Sequence, residues 1–185
     1  MLKENGGVLG IDKILNLVKK KNLVEGLSKR ELETPEGSGL DVRLGKVWKI
    51  SGESFLGIEE RKTGEAILLM EYIEDKSQIF ELKPKQHVLV TSMEKFNIPK
   101  NITANFYPRG TLIKSGVGII GGPLHAGYTG EITFSLFNVS ENIMKIEMGA
   151  RFIHVQFSKV DGRANLYKGQ WQNGRVSAPK MEKQI

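Results

Sequence analysis

Cysteine is absent from the 185 residues. Disulfides and thiolate metal sites are therefore excluded, and a reducing, cytoplasmic compartment is the expectation. Histidine is scarce: His87, His125 and His154 are scattered without the short spacing of a zinc site. No apolar run approaches the roughly 20 residues needed to span a bilayer. The opening MLKENGGVLG also lacks an apolar core of signal-peptide length. Zinc-finger spacing, an RRM-type aromatic signature and a clear helix-turn-helix are all missing, so neither nucleic acid nor membrane is expected as a partner.

What is present suits one soluble globular domain over 1–185, with 39% hydrophobic and 26% charged residues and no internal repeat. The formal net charge is +6, which favours a polyanionic ligand. Much of the surplus lies in the tail, where Lys159, Arg163, Lys168, Arg175, Lys180 and Lys183 face only Asp161 and Glu182. A merely solvated tail reads the same pattern equally well.

Within residues 8–22, Ile11, Ile14, Leu15 and Val18 have helical spacing, with Gly10 as cap and lysines in the last turn. Residues 28–39, with Pro35, Gly37 and Gly39, read as a loop. From Leu40 the texture changes to short strands. Leu40, Val42 and Leu44 alternate with polar partners and the pattern resumes at Val47, while Ile132, Phe134 and Leu136 alternate with Thr133, Ser135 and Phe137. Many short strands broken by Gly and Pro predict a mainly β sandwich or barrel with one N-terminal helix. The aperiodic end, about 162–185, predicts a mobile C-terminal arm.

Five segments resemble, in order, the motifs of the dCTP deaminase/dUTPase superfamily. They are GSGLDVRLG (37–45), YPRGTLIKSGV (107–117), LHAGYTGEITFSLFN (124–138), GARFIHVQF (149–157) and YKGQWQNGRV (167–176). The helix ahead of the first motif looks more like the deaminase branch than the shorter dUTPases. The resemblance implies a distorted jelly-roll-like β-barrel and a homotrimer. It further implies a deoxypyrimidine nucleoside triphosphate bound between subunits, with Mg²⁺ riding on the triphosphate rather than on protein ligands.

It also implies roles for particular residues. Arg109 would grip a phosphate through its guanidinium fork, with Gly110 allowing close approach, Thr111 offering a hydroxyl and Lys114 adding charge without bidentate geometry. Asp41 would serve magnesium-bound water or the catalytic site; its plain alternative is a salt bridge with Arg43. Arg151 would support the site from inside, and Gln156 would recognise the base or brace the site. The Tyr128 ring would pack under the deoxyribose and exclude a 2′-hydroxyl. Tyr167, Gln170 and Arg175 would close over the nucleotide from the arm, while Trp171 would pack on the base or on a neighbour.

The reacting groups depart from both branches. Ser135 stands where deaminases carry a glutamate, and a lone serine is no proton shuttle near neutral pH. His125 stands where dUTPases carry an aspartate, and imidazole can act as a base. Hydrolysis of dUTP to dUMP and pyrophosphate, with His125 as base, is therefore the leading expectation. The alternatives are deamination of dCTP to dUTP with another acid–base group, and a silent nucleotide sensor. Glu131 lies too far along the strand from Ser135 to substitute, at roughly 13 Å. His87 and His154 read as structural residues.

Overall fold

The computed structural model describes residues 7–184. Eight strands make one curled sheet: β1 (Gly7–Val8), β2 (Leu40–Ser51), β3 (Glu65–Glu71), β4 (His87–Ser92), β5 (Ile102–Pro108), β6 (Val117–Ile120), β7 (Thr133–Asn138) and β8 (Arg151–Lys159). The expected mainly β class is what forms. The sheet curls into a half-barrel, in which β3 pairs only with β2 and β6 only with β7 among the described residues.

The two longest strands organise the rest. All of β5 runs antiparallel to β8, from Ile102 opposite Lys159 to Pro108 opposite Ile153. The first part of β2 also pairs with β8, setting Asp41 opposite His154. After register shifts at Leu44/Lys46 and Val47/Trp48, β2 runs beside β4 and β3. Strand β4 continues the sheet to β7, which pairs with β6.

Helix α1 (Ile11–Lys21) starts after Gly10 and stops at Asn22, whose φ of 50° is left-handed. Its Ile14 is fully buried and Lys19–Lys21 occupy the last turn, as the sequence pattern predicts. The stretch 28–39, expected to be loop throughout, contains a short helix, α2 (Lys29–Glu33). Ser28 caps it by accepting a hydrogen bond from the Glu31 amide. A third short helix, α3 (Gly110–Lys114), follows Arg109.

The alternating apolar positions point inward as predicted. Leu40, Val42, Leu44 and Val47 from β2 meet Phe134 and Leu136 from β7 in one buried cluster. Phe134 sits edge-on to Phe106 at 5.0 Å and to Phe152 at 5.5 Å. Such contacts add directional packing to the burial of a large ring. The neighbouring Arg43 does not take Asp41 as its partner. Its backbone N–H and Nε both donate to buried Glu94, at 2.8 and 2.7 Å. Burial pushes the Glu94 carboxyl above its ordinary value against the pull of Arg43.

Phe134→Ala is expected to lower unfolding stability by about 3–5 kcal/mol. Urea denaturation checks this; a loss below about 1 kcal/mol would show that Phe134 does not hold the two faces together.

Candidate functional site

Asp41 is 2% exposed, yet its carboxylate faces a crowd of cations. Arg109 and Arg151 both donate to Oδ2, the latter at 2.9 Å, and His154 Nδ1 lies 2.9 Å from Oδ1. Arg30 from α2 stands 3.8 Å from Oδ2. Buried Glu31 completes the assembly by accepting the Asp41 amide at 2.9 Å while pairing with Arg30 and, at 3.8 Å, with Arg151. Two buried carboxylates thus hold three guanidiniums whose side chains remain about a third exposed, at 36%, 31% and 32% for Arg30, Arg109 and Arg151. The exposed parts of these guanidiniums carry N–H donors of the kind that grip carboxylate or phosphate oxygens.

His154 is packed beside this cluster. Gly39 crosses it so closely that a Cβ there would collide with the imidazole and with the Val155 carbonyl. Burial holds the His154 pKa below its ordinary value; Glu31 opposes that, Arg109 adds to it and Glu36 opposes it. That shift favours the neutral imidazole.

The second assembly is a cavity of about 350 Å³, whose wall includes His125, Tyr128, Thr133, Tyr167, Trp171 and Arg175. The segment 122–130 forms one side. Tyr128 donates its hydroxyl to the Glu131 carbonyl at 2.6 Å, which fixes its ring, and burial raises its pKa to about 12. Tyr167 stacks on His125 at 5.8 Å with 9° between the rings and meets Tyr128 edge-on at 5.6 Å.

The C-terminal arm packs along this side of the cavity. The Tyr167 amide donates to the Ala126 carbonyl at 2.7 Å. Gln172 accepts from the Thr129 amide and donates to the Gly127 carbonyl. Gly130, at φ +118°, lets Asn173 and Gly174 lie against it; any Cβ would strike their backbone. Trp171 has the Arg61 guanidinium 4.4 Å from its ring centre and Arg175 at 5.9 Å. Glu182 holds both arginines, at 3.2 and 2.8 Å, and the hydrogen bond from Arg175, helped by that from Arg61, lowers its pKa against burial.

The expected site residues therefore fall into two groups. Asp41, Arg109 and Arg151 belong to the arginine cluster; His125, Tyr128, Tyr167 and Arg175 belong to the cavity. Ala104 bridges to Leu124 beside the cavity, whereas Arg109 lies five strand steps further along, roughly 16 Å. Gly110 and Thr111 open α3 next to Arg109, and Lys114 ends it, exposed. The site of Gly110 is open, so the fold itself does not require glycine there. Gln156 lies on β8 outside the cavity, and Gln170 donates to the Lys183 carbonyl instead of facing the cavity. The oxygens of Asp41 are taken by arginine and histidine, and no group of three or more potential ligands for a metal ion occurs among the described residues.

Sequence reasoning missed Arg30 and Glu31. The signal was the Ser28-x-x-Glu31 pattern that opens helices, although here the glutamate turns to the Asp41 amide instead of completing a capping box.

The profile of a family described as dCTP deaminase-like matches residues 8–160. A dCTP deaminase of Caldivirga maquilingensis is 28% identical over 174 residues, covering 94% of this chain and 96% of the relative. One of Pyrobaculum islandicum is 30% identical over 149 residues, covering 80% and 83%. A "dCTP deaminase, dUMP-forming" of Aquifex aeolicus is 29% identical over 145 residues, with 77% of each covered. Among solved structures, 2'-deoxycytidine 5'-triphosphate deaminase from Agrobacterium tumefaciens superposes with a TM-score of 0.64 at 17% identity over 84% of this chain; the chain spans about half, 49%, of that structure.

Asp41→Asn is expected to destabilise the fold by about 3 kcal/mol, because three cations lose a buried partner. Stability should also fall as pH drops below about 6.5, because the depressed His154 pKa makes the unfolded chain bind the extra proton first. His154→Gln should flatten that slope in denaturation curves recorded between pH 7.5 and 5; an unchanged slope would assign it to other groups.

Proposed function

The chain belongs to the dCTP deaminase-like family, and from that premise we propose that it binds a deoxypyrimidine nucleoside triphosphate and deaminates dCTP. The observation that carries the reading is the pairing of an aromatic-walled cavity with an anion-binding arginine face. Cavities of a few hundred Å³ suit small ligands. The names of the relatives quoted above, aligned over more than three quarters of their lengths, favour deamination as the reaction.

The residues divide the work. His125 and Tyr167 make a flat wall against which a pyrimidine stacks. The fixed Tyr128 ring takes the space beside the sugar, where a 2′-hydroxyl would clash. Arg109, Arg151 and the newly recognised Arg30 receive phosphate oxygens without first having to be ordered, because Asp41 and Glu31 already hold them. Mg²⁺, bound to the triphosphate, would neutralise part of its charge. Arg175 lines the cavity and leaves Glu182 if it turns to the phosphates.

Within one chain none of the three arginines of the cluster is part of the cavity wall. A homotrimer in which one subunit's arginines complete another's cavity resolves that separation. Tyr107, Ile113 and Ile120 support such contacts, remaining 49%, 61% and 63% exposed near the two assemblies.

A second reading, hydrolysis of dUTP to dUMP and pyrophosphate, is favoured by His125, which lines the cavity with no hydrogen bond to its ring nitrogens among the described residues.

The test is product analysis with Mg²⁺ and either dCTP or dUTP. Ammonia from dCTP is the expected result; pyrophosphate from dUTP without ammonia from dCTP transfers the proposal to hydrolysis. Arg109→Ala should weaken dCTP binding about 10- to 100-fold while changing affinity for deoxycytidine little. Light scattering should give three times the 20.7 kDa chain mass; a monomer that turns over dCTP normally would remove the shared site.

A further inference from the structure

Deamination at a pyrimidine C4 needs a group that takes a proton from water and returns it to nitrogen. Carboxylates are the usual carriers, so their positions around the cavity are informative. Glu131 turns away: its carboxylate is held by Lys46 at 3.2 Å, and it lines a different cavity together with Trp48 and Asn97. Glu182 is occupied by Arg61 and Arg175. Asp41 and Glu31 belong to the arginine cluster.

The sheet face under the cavity offers something else. Strands β4 and β7 pair so that Leu89 lies opposite Ser135 and Thr91 opposite Thr133. Leu89 and Thr133 line the cavity. Alternation places His87, Leu89 and Thr91 on the same face as Thr133, Ser135 and Phe137. Ser135 is thus one pleat beyond Thr133, roughly 7 Å along the strand, and directly opposite the cavity-lining Leu89. Its Oγ lies 2.6 Å from His87 Nε2, the single ionisable side chain among those six. Ile120, opposite Ser135 on the other side, leads into Gly122 and Pro123 of the cavity wall.

We propose that Ser135 and His87 are the proton-transfer pair of this cavity, Ser135 contacting the attacking water and His87 acting through it. The inference rests on the deamination reading. In the tautomer protonated on Nδ1, His87 Nε2 accepts the Ser135 hydroxyl proton, so the serine oxygen can take a proton from water as it yields its own. Water oxygen bonds to C4, and its first proton passes through the pair to N3. The proton left on the new hydroxyl passes by the same route to the amino nitrogen as the C4–N bond breaks. Ammonia leaves, C4 becomes a carbonyl, both water protons sit on the products, and Ser135 and His87 return to their starting states. A serine alone has no such reservoir; the imidazole behind it supplies one.

The experiment follows ammonia release from dCTP and Mg²⁺ by the wild-type chain, Ser135→Ala and His87→Ala, with dCTP affinity measured by calorimetry. Both variants are expected to lose about 10²- to 10⁴-fold in kcat with affinity within about threefold of wild type. Added imidazole should restore part of the His87→Ala rate and none of the Ser135→Ala rate. Because His87 is exposed, its variant keeps the core intact and remains informative if Ser135→Ala misfolds. Normal kcat in His87→Ala, with wild type active, overturns the pair while the deamination reading stands. A kcat loss that imidazole leaves unchanged and that tracks an equal loss of dCTP affinity assigns His87 a structural role and also overturns it. No ammonia from the wild type sinks the deamination reading, and the pair with it.

Discussion

A carboxylate taken out of water must find positive charge, and Asp41 is nearly fully buried. It finds that charge on three separate parts of the chain, Arg109 after β5, Arg151 on β8 and Arg30 on α2, while His154 on β8 adds a hydrogen-bonding neighbour. Satisfying this one group therefore ties together the pairing of β2 with β8, the turn from β5 into α3 and the docking of α2. Glu31 reinforces the arrangement through the Asp41 amide, so a backbone donor at a β-strand position is used by a helix. Buried ion clusters add little net stability, because desolvation offsets attraction. What this one does is hold three guanidiniums in place with about a third of each side chain exposed.

The cavity depends on a different constraint, close approach of backbones. The arm reaches the segment 122–130 because Gly130 presents no Cβ and adopts a φ that other residues rarely take. That approach sets Tyr167 flat on His125 and brings Trp171 between Arg61 and Arg175. Glu182 then pairs with both cations and offsets part of their repulsion across the indole. The polar and aromatic faces of the molecule are thus built by separate means and stand apart within one chain, which is the reason a shared, intersubunit site is attractive.

Much of the fold was legible in the sequence. Period-two alternation in 40–44 and 132–136 marks the inward residues, since a half-buried strand must put every second side chain in the core. Helical spacing and the lysines mark α1. The stretch 28–39 was less legible: α2 is only five residues long, too short for a hydrophobic period, and its purpose is to carry Arg30 and Glu31. The plain alternative of an Asp41–Arg43 pair fails because neighbours two apart share a strand face yet need not share a partner; Glu94 reaches Arg43 from 51 residues away. The family motifs pointed to Arg109, Arg151, His125, Tyr128 and Tyr167. They did not separate these into two assemblies.

By itself the sequence determined the strand and helix periodicity, the inventory of charges and the order of the family motifs, because all three are local properties of the chain. Only the tertiary structure decided which charges meet. Asp41 and Arg109 are 68 residues apart, and His87 and Ser135 are 48 apart. Contacts of that kind depend on strand order and register, in which a shift of a single residue would turn each side chain to the opposite face of the sheet.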